Sequence, residues 1–143
     1  MTVLVVDDEP SDLEPTRLAL EEAGFEVLTG DSYETALAIF EPNARDVGLA
    51  ILDVSLPGRN GVELYRELEK RNPGIKVLFV SGHVGAEVIR FYGFEATDLH
   101  FLQKPFHSDE LVERVGEIIR VPQKQLRPKP ARRVKEKSQD AAQ

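Results

Sequence analysis

Five mostly apolar runs punctuate the chain at intervals of about twenty to twenty-five residues: TVLVV (2–6), FEVLT (25–29), VGLAIL (47–52), IKVLFV (75–80) and HFLQ (100–103). Each is short, rich in β-branched or aromatic residues and closed by polar or turn-forming residues, the pattern of strands buried on both faces of a sheet. Between them the apolar positions recur at helical spacing. Ser11 and Glu14 have capping-box spacing ahead of Leu13, Leu18, Leu20 and Ala23, and Gly24 ends the stretch. Pro15 falls at the fourth position of that helix, where it removes a backbone bond, so a slight bend or a late helix start is expected. Asp31 with Glu34 has the same capping spacing before Tyr33, Ala36, Leu37 and Phe40, and Pro42-Asn43 stops the second helix. Asn60 can cap a third helix carrying Val62, Leu64, Tyr65 and Leu68. A weaker segment over 86–92 is the fourth, and Ser108 is expected to cap a fifth with Leu111, Val112, Val115, Ile118 and Ile119 on one stripe.

Strands alternating with helices predict an α/β fold: a doubly wound five-stranded parallel sheet with right-handed crossovers, a (βα)5 chain in three layers. At 143 residues the chain suits one domain with a substantial core. We place that domain at 1–120 and read 121–143 as a tail. The tail has three prolines, no aromatic residue and many charges, a composition that predicts disorder or a linker. The formal charge of −7 divides unevenly, with −12 on 1–120 and +5 on 121–143. An acidic body excludes general nucleic-acid binding as the expected role, and 23 residues of tail are too few for a DNA-reading module. No apolar stretch reaches membrane-spanning length, and three acids in the first ten residues argue against a secretory signal, so a cytoplasmic location is expected. With no cysteine, disulfides and thiol chemistry are excluded.

In a parallel sheet the C-terminal ends of the strands share one edge, and open α/β sheets keep their ligands there. The predicted edge carries Asp7, Asp8 and Glu9, then Asp53, then Ser81, then Lys104. Clustered carboxylates resist joint ionisation unless a cation lies among them. Oxygen ligands without histidine or cysteine favour Mg2+, which commonly also holds a phosphate oxygen. A carboxylate can act as a nucleophile toward phosphorus, and phosphoryl transfer calls mainly for an in-line nucleophile and positive charge on the equatorial oxygens. Lys104 and the metal would supply that charge, and the Ser81 hydroxyl would hydrogen-bond the transferred group.

VLVVDDE at the start, LDVSLPGRNG around Asp53, FVSG at Ser81 and FLQKPF at Lys104 closely resemble the receiver domain of two-component response regulators over about residues 2–120. The resemblance implies a flavodoxin-like fold with Asp53 as phosphoacceptor. It implies Asp8 as a direct Mg2+ ligand, the Ser55 backbone carbonyl as another, and Asp7 acting through water. Ser81 matches the switch hydroxyl, Phe101 the switch aromatic, and Lys104 the lysine that usually precedes a cis proline, here Pro105. Ser55 and His83 occupy the two positions that tend to tune hydrolysis of the acyl phosphate. The implied partners are a histidine kinase or histidine phosphotransfer protein and a downstream protein target. That target would read a face built from the fourth helix, fifth strand and fifth helix. The chain would then be a signalling module, either a single-domain regulator or the receiver portion of a longer regulator or hybrid kinase, with at most slow autodephosphorylation.

Two other functions compete. A phosphatase working through an aspartyl phosphate usually has a second acid two residues beyond the nucleophile, where this chain has Ser55. A binding protein could instead use the basic tail, with Arg132, Arg133, Lys135 and Lys137, to recruit nucleic acid or an acidic partner while the receiver regulates access.

Overall fold

The computed structural model describes residues 1–82, 87, 90, 91 and 100–120. The fourth predicted helix, His83 and the 121–143 tail lie outside the described residues, the helix apart from positions 87, 90 and 91. In chain order the elements are β1 (Thr2–Val6), α1 (Pro10–Glu22), β2 (Glu26–Gly30), α2 (Tyr33–Phe40), a 3-10 turn (Glu41–Asn43), β3 (Val47–Asp53), α3 (Gly61–Arg71), β4 (Lys76–Ser81), β5 (Phe101–Gln103) and a last helix, Ser108–Arg120.

All strands are parallel, in the order β2-β1-β3-β4-β5. The chain winds from β1 outward to β2, then crosses back to β3 on the other side of β1. The crevice between the C-terminal ends of β1 and β3 is therefore the switch point of the winding, where such sheets bind ligands. The predicted doubly wound architecture is the one observed.

Alternation along each strand divides the core into two layers. Leu4, Val6, Ala50, Leu52, Val77 and Phe79 face α2 and α3, meeting Tyr33, Ala36, Phe40, Val62, Leu64, Tyr65 and Leu68. Val3, Val5, Leu49, Ile51, Leu78, Val80 and Leu102 face α1 and the last helix, meeting Leu20, Leu111, Val115 and Ile118. Because both faces of the sheet are covered, the inner strands β1, β3 and β4 read as near-continuous apolar runs rather than alternating. Tyr65 and Phe79 meet edge to face with centroids 5.9 Å apart.

The helix starts differ from three of the sequence expectations, the last helix beginning at Ser108 itself, with the His107 carbonyl accepting from the Leu111 N–H, so that Ser108 does not cap it. Ser11 does not cap α1: the helix begins at Pro10, whose fixed φ suits the first helical position, and Glu9 takes the cap position without a side-chain bond. Pro15 is carried inside a helix that runs unbroken to Glu22. Leu18 and Ala23 face outward, and the buried positions of α1 are Thr16, Ala19 and Leu20. In α2 the cap is Ser32 rather than Asp31. Its hydroxyl accepts from the Thr35 N–H while the Thr35 hydroxyl accepts from the Ser32 N–H. Asn60 caps α3 as expected, in a capping box closed by Glu63.

Gly61 opens α3 directly against the end of β3. Its N–H donates to the Val54 carbonyl, and a Cβ at this position would collide with the Asp53 carbonyl oxygen. Gly116, within the last helix, would direct a Cβ only toward the mobile end of the Arg120 side chain, 3.3 Å away. The two glycines should therefore respond oppositely to alanine. Gly61→Ala should lose stability in urea titration, by about 1–3 kcal/mol for a forced backbone shift, and Gly116→Ala should gain about 0.5–1 kcal/mol from helix propensity.

Candidate functional site

The carboxylates that close β1 and β3 sit in the crevice between those strands. Asp7 and Asp53 are buried, at 5% and 4% exposure, and Asp8 is partly exposed. Backbone amides two residues on hold both buried groups. The Glu9 N–H donates to Asp7 Oδ1 at 2.9 Å, and the Ser55 N–H donates to Asp53 Oδ1 at 2.9 Å. These Asx turns orient the carboxylates because each strand ends there and the chain bends sharply. Glu9 itself is exposed, and its contribution here is the backbone amide.

Lys104, just beyond β5, reaches across the edge. Its Nζ donates to Asp7 Oδ2 at 2.8 Å, to Asp53 Oδ2 at 3.0 Å and to Asp12 Oδ2 at 3.1 Å. Its backbone is placed by the ladder, since the Lys104 N–H donates to the Ser81 carbonyl at 2.8 Å, and the Lys104–Pro105 bond is cis. Burial by itself would lower the lysine's proton affinity. The hydrogen bonds to Asp7 and Asp53, with their charges, outweigh it and hold the ammonium above the usual lysine range. For Asp53 the balance is reversed. Burial pushes its carboxyl above the ordinary range, and the Ser55 amide and Lys104 only partly offset that push.

Asp7, Asp8 and Asp53 can each direct one oxygen to a common point, with the three atoms within 4.8 Å of one another. The donors are all carboxylate oxygens, with no histidine or cysteine among them, which fits a hard divalent cation such as Mg2+. Three carboxylates against one lysine leave excess negative charge that such an ion would neutralise.

Ser81 is buried at the end of β4, and its hydroxyl lies 3.3 Å from the hydroxyl of Ser55. Beyond Ser55 the loop turns at Gly58, whose φ of +78° an L side chain rarely adopts. Arg59 then stacks on the Tyr33 ring at 4.1 Å. Phe101 is not part of the carboxylate group. It pairs in register with Phe79 and is half-buried against the core layer of α2 and α3. The crevice thus unites Asp7, Asp8, Asp53 and Lys104, with Ser55 and Ser81 on its flank. It also recruits Asp12, which the sequence reading missed. The available signal was Pro10: a helix starting there puts Asp12 in the first turn above the end of β1.

Comparison with known proteins gives the same picture. Residues 3–116 match the model of the response regulator receiver domain family. The chain is 34% identical over 120 residues to TcrX of Mycobacterium tuberculosis and 33% identical over 121 residues to the cell cycle response regulator CtrA of Brucella ovis. Each match takes in 84% of this chain and 50% of the relative, so the chain spans about half the length of these relatives. Among solved structures, the receiver domain of the hybrid histidine kinase CckA superposes with a TM-score of 0.71 at 31% identity, covering 84% of this chain and 100% of that one. The chain belongs to the response regulator receiver domain family, the phosphoacceptor modules of two-component signalling.

Proposed function

We propose that Asp53 is the phosphoacceptor of this chain, taking its phosphoryl group from a phosphohistidine on a histidine kinase or histidine phosphotransfer protein in the cytoplasm. The observation that carries this reading is a buried carboxylate at the end of β3 with Lys104 Nζ 3.0 Å from one oxygen and Asp7 and Asp8 beside it. An Asp53 oxygen attacks phosphorus, the P–N bond breaks, the imidazole leaves with the electron pair, and an acyl phosphate forms. Lys104 meets the charge that develops on the phosphoryl oxygens, and its bond to Asp7 fixes the ammonium for that task. Bound at Asp8, Asp53 and the Ser55 carbonyl, with Asp7 through water, Mg2+ would supply further positive charge to the same oxygens. The Ser81 hydroxyl exchanges its Ser55 neighbour for a phosphoryl oxygen, and Phe101 follows it inward. The altered face around β5 and the last helix then engages a downstream protein target. Position 55 is serine, where an aspartyl-phosphate phosphatase usually carries its general acid, which favours a signalling role over phosphatase turnover.

Incubation with Mg2+ and a small phosphodonor should add one acid-stable, base-labile phosphoryl group, read by intact mass. Asp53→Asn should abolish the addition, and Lys104→Ala should slow it about 100-fold. An undiminished product in Asp53→Asn would exclude Asp53 as acceptor.

The electrostatics of Asp53 lead to a second expectation. Its folded-state affinity for a proton exceeds that of the unfolded chain, so its contribution to stability is present below 3.8 and is lost as the pH rises through its folded value. Asparagine avoids this loss. Without Mg2+, Asp53→Asn should therefore be more stable than wild type near neutral pH, and denaturant titrations should show the advantage shrinking as the pH falls toward 3.8.

A further inference from the structure

An ammonium has three N–H donors and no acceptor, and Lys104 directs them at three carboxylates. Two of these belong to the reacting centre. Asp7 and Asp53 have side chains only 7% and 6% exposed, and both are members of the metal-capable group. The third differs in every respect. Asp12 stands in the first turn of α1, its side chain is 47% exposed, and it is not a member of that group. Nothing in the transfer chemistry calls for a carboxylate there.

Its position nevertheless bears on what Lys104 can do. The lysine assists transfer by presenting positive charge to the phosphoryl oxygens, and a carboxylate 3.1 Å from its nitrogen offsets part of that charge. The same carboxylate occupies one of the three N–H donors. When a phosphoryl group forms on Asp53, the lysine must turn a donor toward it while Asp12 still holds another.

We propose that Asp12 is a positioning residue that restrains Lys104 and thereby lowers the site's attraction for a phosphoryl group, slowing phosphorylation of Asp53. The inference rests on the phosphoacceptor reading of Asp53 and adds to it a charge on α1 that sets the rate. The size of the effect is bounded, because a pair with one half-exposed partner contributes little in water. A few-fold change is the expected scale. Asparagine is the informative replacement, since its side-chain oxygen can still accept from Lys104 while the charge is gone.

The test is the initial rate of phosphorylation of the full chain by phosphoramidate with saturating Mg2+, measured for wild type, Asp12→Asn, Lys104→Ala and the double variant. Asp12→Asn should react about threefold faster than wild type at low salt. The ratio should fall toward one in about 1 M NaCl, where screening reaches within about 3 Å. In the Lys104→Ala background the same substitution should have no effect, because the lysine that transmits it is absent. If Asp12 serves only as a favourable acid near the α1 N-terminus, Asp12→Asn will change the melting temperature and leave the rate unaltered, which overturns the proposal. Equal acceleration with and without Lys104 also overturns it. A wild-type chain that takes no phosphoryl group at Asp53 defeats the phosphoacceptor reading itself. Labelled wild type with an unresponsive Asp12→Asn defeats the Asp12 inference alone.

Discussion

One ammonium set among three carboxylates is the interaction on which the site depends. Lys104 bonds Asp53 across 51 positions of sequence and Asp7 across 97, so the contact exists only once β1, β3 and β5 are aligned in one sheet. Two buried carboxylates side by side would be costly without it, since each loses water and repels the other. Lys104 relieves that cost without removing it. Negative charge remains in excess at the crevice, and the Asp53 carboxyl is held above its ordinary range.

The scaffold places these groups by ordinary means. Strand ends put the carboxylates at one edge, and amides two residues on lock their direction. Gly61 lets α3 begin against the Asp53 carbonyl, and the β4–β5 ladder brings in the lysine's backbone. The strand before Lys104 is itself tied to the last helix. Arg114 Nη1 donates to the Phe101 carbonyl at 2.8 Å, and Lys76 Nζ donates to the carbonyls of Ile118 and Ile119 at 3.3 and 2.9 Å. These charge-assisted bonds to carbonyls tie β5, through Phe101, and β4, through Lys76, to a helix on the protein's surface. A change of charge beside Lys104 thus acts on a residue one step from that linked unit.

Much of this is legible in the amino-acid sequence alone. Thr2–Val6 is observed at its predicted bounds, β3 ends at Asp53, and β2, β4 and β5 are displaced by at most one residue. Short apolar runs closed by acids, serine or lysine leave few alternatives for a sheet buried on both faces. The alternation of strand and helix dictated parallel pairing, and parallel pairing put Asp7, Asp8, Asp53, Ser81 and Lys104 on a common edge. Local chemistry was sufficient there because each residue's place follows from its own strand.

What local pattern could not decide was which of several plausible partners a side chain meets. Ser11 and Asp31 have capping spacing, yet Glu9 and Ser32 take the cap positions, because competing caps one or two residues apart are separated only by how the preceding strand delivers the chain. Leu18 reads as core by composition and faces water because α1 is rotated by its packing on the sheet. Asp12 carries no signal of its own in the sequence pattern and is found on the lysine, a pairing across 92 residues. The sequence by itself determined which residues stand at the strand ends. Only the tertiary structure decided how far apart they are, how deeply each carboxylate is buried and who shares the one ammonium, because distance and desolvation are properties of the packed sheet rather than of any segment.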